Sequence, residues 1–152
     1  MEIERKYLVQ RLPENYKTYP HSELEQGYLC TNPVVRIRKA DDAYTLTYKG
    51  SGFMVREEYN LPLTKEAYFH LRSKTNGRMI HKIRYRIPFG EKHTIELDVF
   101  LDELAPLILA EVEFSTEEEA HRFIPPDWFK EDVTFSPKYH NSALSQAGQA
   151  DF

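Results

Sequence analysis

Polar and apolar residues alternate with a period of two along most of this chain, the pattern of strands whose successive side chains point to opposite faces. Glu2, Glu4 and Lys6 alternate with Ile3 and Tyr7 at the start. Arg36 and Arg38 flank Ile37, and Thr45, Thr47 and Lys49 alternate with Leu46 and Tyr48. Lys82, Arg84 and Arg86 alternate with Ile83, Tyr85 and Ile87. The acids follow the same rule, Glu96 and Asp98 bracketing Leu97, and Glu111 and Glu113 bracketing Val112. Strands are therefore predicted at about residues 2–9, 26–30, 34–39, 43–49, 53–61, 80–89, 93–101 and 107–114. Asp41-Asp42, Lys49-Gly50-Ser51-Gly52 and Gly90-Glu91-Lys92 separate them as antiparallel hairpin turns would.

Helices are predicted in two places between strands. Thr64 suits an N-cap for about 65–75, and Ser115 with Glu118 suits a capping box for about 116–124, which Pro125-Pro126 then stops. A third short helix can start at Ser136, with Pro137 at its first position, and run through Leu144 to plug one end of a barrel. The expected fold is thus mainly β with flanking helices (α+β): an eight-stranded antiparallel closed barrel forming a tunnel, one domain over residues 1–152. Because the charged positions share a face, the barrel would be inverted, with a charged interior and an apolar exterior covered by helices.

Composition sharpens this picture in one respect. Twenty Lys plus Arg against twenty-four Asp plus Glu leave a net charge of −4, unlike the strongly basic balance of an electrostatic nucleic-acid binder. Acids stand at Glu2 and Glu4 where a signal peptide would have a basic start, and no stretch approaches a membrane span, so a cytoplasmic protein without membrane attachment is expected. Cys30, the sole cysteine, reads as a small buried apolar residue. The histidines His21, His70, His81, His93, His121 and His140 lack zinc-motif spacing and read mostly as surface residues. Trp128 reads as a packing residue, and Tyr28 as a residue that can face the cavity.

The predicted inward cations are Lys6, Arg36, Arg38, Lys49, Arg56, Lys82, Arg84 and Arg86; the inward acids are Glu2, Glu4, Glu58, Glu96, Asp98, Glu111 and Glu113. A bulge would put Glu57 inward in place of Glu58. Burying so many charges is tolerable only where opposite charges, metal or ligand satisfy them. Arginine forks match phosphate oxygens and lysine adds a compact charge, whereas carboxylates repel phosphate and suit a hard divalent cation such as Mg²⁺ or Mn²⁺. The set therefore fits a polyphosphate held together with metal, its water attacking a phosphoryl group.

With Glu2-x-Glu4-x-Lys6, Arg36-x-Arg38, Thr47-x-Lys49, Lys82-x-Arg84, Glu96-x-Asp98 and Glu111-x-Glu113 in this order, the whole chain resembles the CYTH superfamily, the triphosphate tunnel metalloenzymes. The resemblance implies that Lys6, Arg36, Arg38, Lys49, Lys82 and Arg84 bind triphosphate and that Glu2, Glu4, Glu111 and Glu113 are metal-side carboxylates. It implies metal ligation or water positioning for Glu58, Glu96 and Asp98, which with Glu4 make the candidate catalytic set. Arg56 and Arg86 join the substrate-binding candidates from the alternation, and Lys138 is an added candidate at the plug. The small single-domain form resembles bacterial members that hydrolyse inorganic tripolyphosphate to pyrophosphate and phosphate. Nucleoside triphosphates are implied as weaker substrates. A thiamine triphosphatase, a class IV adenylyl cyclase and a non-catalytic polyphosphate-binding module are the alternatives. The only partner expected is the small-molecule triphosphate, with monomer and homodimer both open.

Overall fold

The computed structural model describes residues 1–146. In chain order its strands are β1 (Glu2–Val9), β2 (His21–Thr31), β3 (Val34–Ala40), β4 (Ala43–Lys49), β5 (Val55–Arg56), β6 (Glu58–Pro62), β7 (Asn76–Phe89), β8 (His93–Phe100), β9 (Ile108–Glu113) and β10 (Phe129–Asp132). The helices are α1 (Lys65–Arg72), α2 (Glu117–Arg122) and α3 (Asn141–Gln146). Hydrogen bonding orders the sheet β10-β1-β9-β8-β7-β2-β3-β4-β6 with every pairing antiparallel, and β5 returns to β1 through Glu2↔Arg56 and Ile3↔Val55. The circuit is nearly closed.

Ten strands stand where eight were expected, for two reasons. The segment expected at 53–61 is interrupted at Glu57, so that its first part pairs with β1 and its second with β4. β10 lies in a segment without alternation and adds to the far edge of β1 through Tyr7↔Asp132. β2 and β7 also start earlier than the alternation shows, at His21 and Asn76.

Helix ends follow local capping. The Thr64 hydroxyl accepts a hydrogen bond from Ala67 N (3.1 Å), as expected, but α1 ends at Arg72. In α2 the cap is Thr116, accepting from Glu119 N (3.1 Å), not Ser115. Both residues satisfy the S/T-x-x-E pattern, which cannot choose between them. The plug is a 3₁₀ turn, Pro137–Tyr139, followed by α3.

The apolar outer face behaves as the inverted pattern requires. Tyr7, Tyr85, Ile87, Ile95, Leu97, Ala110 and Val112 form one core with Ala120 of α2 and Phe129 of β10, and Trp128 packs against it. The cover is incomplete, however, since Tyr59 and Leu61 on β6 remain 60% and 59% exposed. The inner face is not charged throughout either. Tyr28, Val34, Ile80, Phe100, Leu107 and Leu109 cluster with Leu144 of α3. Ile80 and Phe100 lie on the same strand faces as Lys82 and Asp98, two residues away in each case. One end of the interior is thus an apolar core sealed by the plug, and charge occupies the rest.

Candidate active site

A cavity of about 970 Å³, its mouth included, occupies the charged part of the interior. Of the residues picked out by alternation, Glu2, Glu4, Lys6, Arg36, Arg38, Lys49, Arg56, Glu58, Arg84, Glu96, Glu111 and Glu113 line it. Glu57 is exposed, so the interruption between β5 and β6 leaves Glu58 facing inward. Lys82, Asp98 and Arg86 are not among the lining residues. Cys30 is exposed, not buried; it follows the irregularity between Tyr28 and Cys30 in the β2–β3 pairing.

The β7–β8 wall is internally neutralised. Asp98, fully buried, accepts from Arg84 Nε (2.8 Å) and Arg84 Nη2 (2.9 Å) and lies 2.7 Å from Lys82 Nζ. Lys82, equally buried, also donates to Asn141 Oδ1 (3.0 Å). Burial alone would raise the Asp98 carboxyl, but the charges of Arg84 and Lys82 hold it below the usual carboxylate range. Arg84 reaches further, to Glu96 (3.3 Å) and Glu111 (3.3 Å).

The β1–β9 wall is different. Register places Glu4 opposite Glu113 and Lys6 opposite Glu111. Glu4, Glu96 and Glu111 each bring a carboxylate oxygen within 4.8 Å of the others. Burial, followed by the charges of Glu111 and Glu2, drives Glu4 well above its ordinary value. Glu113 is raised by burial and by Glu58 and Glu96. Burial likewise raises Glu2 to about 7 against the pull of Lys49. Lys49 bridges Glu2 (3.1 Å) and Glu58 (3.4 Å). Glu58 falls to about 2, the hydrogen bond from Glu2 and the charge of Lys49 overcoming burial. All-oxygen donors crowded by like charge fit a hard divalent cation, which would relieve the repulsion that raises Glu4.

Across the lumen the cations are crowded in turn. Arg38 donates from Nε (2.9 Å) and Nη2 (2.7 Å) to Gln26 Oε1, and Arg36 donates from Nη2 to Thr47 (3.0 Å). Burial and the neighbouring charges of Arg36 and Arg84 lower Arg38 to about 9. Arg36 Nε is buried without a hydrogen-bond partner among the described residues. Such a donor is costly unless an acceptor reaches it.

Several lining residues escaped the alternation: Val34, Phe53, Asn60, Thr134, His140, Asn141 and Ser142, while Tyr28 does face the cavity. Asn60 continues the Arg56, Glu58 series and was within reach of the same rule; the C-terminal residues lie in segments with no period to read. His140 is not a surface residue: burial, then Lys6, Arg56 and Lys49, lower it to about 4. Lys138 is exposed, its Nζ 5.5 Å from the Tyr139 ring centroid.

The fold and this lumen define a class of protein, the antiparallel barrels that enclose a charged, ligand-sized cavity. The CYTH domain model matches residues 1–149. The chain belongs to the CYTH domain family, whose triphosphate tunnel metalloenzymes are metal-dependent. It is 40% identical to the inorganic triphosphatase of Nitrosomonas europaea over 152 aligned residues, covering 95% of this chain and 96% of that protein. It is 36% identical to the inorganic triphosphatase of Acetivibrio thermocellus, covering 94% and 92%. A crystal structure of an inorganic triphosphatase matches with a TM-score of 0.73 at 37% identity, covering 99% of this chain and 97% of that one.

Proposed function

We propose that the protein hydrolyses inorganic tripolyphosphate to pyrophosphate and phosphate with Mg²⁺ or Mn²⁺, and nucleoside triphosphates more slowly, as a cytoplasmic single-domain enzyme. The observation that carries this reading is one cavity in which Lys6, Arg36, Arg38, Lys49, Arg56 and Arg84 share the lining with Glu4, Glu96 and Glu111. Inorganic triphosphatase relatives at 40% and 36% identity support the same reaction.

Each group has a task that follows from its surroundings. Glu4, Glu96 and Glu111 would hold the cation, with Glu2 and Glu113 next along the same strand faces. A bound Mg²⁺ or Mn²⁺ would supply charge neutralisation and polarise phosphoryl oxygens. Arg36, Arg38 and Lys49 grip the triphosphate, Arg36 Nε gaining the acceptor it lacks among the described residues. Water attacks a terminal phosphorus, the bond to the bridging oxygen breaks, and pyrophosphate leaves with the electron pair. Lumen cations stabilise that charge without having to rearrange. Asp98 and Lys82 support the wall by fixing Arg84, since Asp98 is committed to both cations.

Release of orthophosphate and pyrophosphate from tripolyphosphate, ATP and thiamine triphosphate, with Mg²⁺, with Mn²⁺ and with chelator, tests the reading. Metal-dependent cleavage fastest on tripolyphosphate is expected. Inert tripolyphosphate, with pyrophosphate and cyclic nucleotide released from ATP, would replace hydrolysis by cyclisation.

A further inference from the structure

Where the cavity meets solvent, three aromatic rings gather that phosphate binding does not use. Phe53, in the loop before β5, and His140, between the 3₁₀ turn and α3, both line the cavity. Their centroids are 5.2 Å apart at 51°. Phe135 extends the group outward, 6.1 Å from Phe53 at 47°. Phe53 and Phe135 are 41% and 63% exposed despite touching, so the platform presents ring surface to water. Exposed apolar rings at the rim of a cation-lined cavity suit a flat organic group, because stacking on an aromatic face tolerates any heterocycle.

We propose that Phe53, Phe135 and His140 form a stacking subsite for the neutral base of a nucleoside triphosphate whose phosphates occupy the lumen. The subsite rests on the triphosphatase reading and adds an account of which organic triphosphates enter. Burial, then the charges of Lys6, Arg56 and Lys49, with Glu111 opposing them, lower His140 to about 4, so its imidazole is uncharged near neutral pH. A neutral purine or pyrimidine can lie against this platform by its flat face. The platform therefore offers a contact to the base of a nucleotide without touching inorganic tripolyphosphate, which has nothing to stack.

Phe135 offers the cleanest test, being exposed and outside the cavity lining. Binding of the β,γ-imido analogue of ATP and of tripolyphosphate is measured calorimetrically, beside hydrolysis of ATP and tripolyphosphate. Phe135→Ala is expected to weaken the ATP analogue about 5- to 10-fold and raise KM for ATP alike, with tripolyphosphate unchanged. Phe135→Leu, which keeps an apolar contact but no ring, should resemble the alanine variant; a merely structural role would be rescued by leucine. Equal effects on both ligands, or no effect on either, overturn the subsite. If wild-type protein cleaves neither substrate, the hydrolytic reading fails, yet the analogue's binding still decides the platform.

Discussion

The two charged walls of the lumen use the same residue types to opposite ends. On β7 and β8, Asp98 lies between Arg84 and Lys82 at 2.7–2.9 Å, and its carboxyl is held low. On β1 and β9, Glu2, Glu4 and Glu113 are all raised, because burial and mutual repulsion outweigh the nearby lysines, and only Glu111 is held well below its ordinary value, the charges of Lys6 and Arg84 overcoming its burial. The first wall pairs its buried acid with two cations within the chain, although burial still lowers Lys82 to about 7; the second leaves three carboxyls raised, a crowding that a bound cation would relieve. Charge that the fold leaves uncompensated is the better guide to where ligand binds than charge as such.

The largest effect expected from breaking this contrast lies on the paired wall. Asp98→Asn leaves Lys82 and Arg84 buried with one partner removed and should cost about 3–5 kcal/mol in denaturant unfolding. An unchanged unfolding midpoint would refute the claim that this wall is structural. Next comes Glu4→Gln on the open wall, where kcat/KM for tripolyphosphate should fall by about 100-fold while folding stability is kept or raised, since a repelled carboxylate is removed. Calorimetry should show weakened Mn²⁺ binding in the same variant.

A third test uses pH. Glu2 titrates near 7 in the folded chain against 4.5 ordinarily, so between those values the native state holds more protons than the unfolded state. Its contribution to stability is therefore present below pH 4.5 and is lost as pH rises to about 7. His140 acts in the opposite sense, lowered from 6.5 to about 4, and adds stability with rising pH over an overlapping window. The two oppose each other in wild-type protein, so the comparison must be with Glu2→Gln. The stability of that variant relative to wild type should improve steadily from pH 4.5 to 7. A pH-independent difference would show that Glu2 is not strained.

How far the sequence exposes this contrast can be stated residue by residue. Period-two alternation assigns Glu4, Lys82 and Asp98 to one face of their strands, and that face is the interior. It carries no information on distance across the lumen, so it treats Asp98 and Glu4 as equals although one is saturated and the other crowded. Glu96 illustrates the gap, since only the β8–β9 pairing of Glu96 with Glu111 brings it to Glu4. The apolar half of the interior was hidden because Ile80 and Phe100 continue charged series on their own strands. Phe53 was hidden because it stands on the opposite parity from Arg56 and Glu58 in the expected 53–61 strand, whereas it lies in the loop before β5; His140 and β10 lie in segments with no strand period, where tertiary packing alone places them.

Arg86 gives the smallest effect and the sharpest check on reading charge from pattern alone. It shares a strand face with Lys82 and Arg84 and stands opposite Glu96, so alternation ranks it with them. It is half-buried, and it is not among the residues lining the cavity. Arg84, two residues earlier, engages Asp98, Glu96 and Glu111 together. If position in the lumen decides function, Arg86→Gln should change kcat/KM for tripolyphosphate by less than about threefold and stability by no more than about 0.5 kcal/mol. Arg84→Gln should abolish most activity. Equal losses in the two variants would mean that the phosphate chain extends along β7 beyond the cavity, and that the alternation had marked its path correctly.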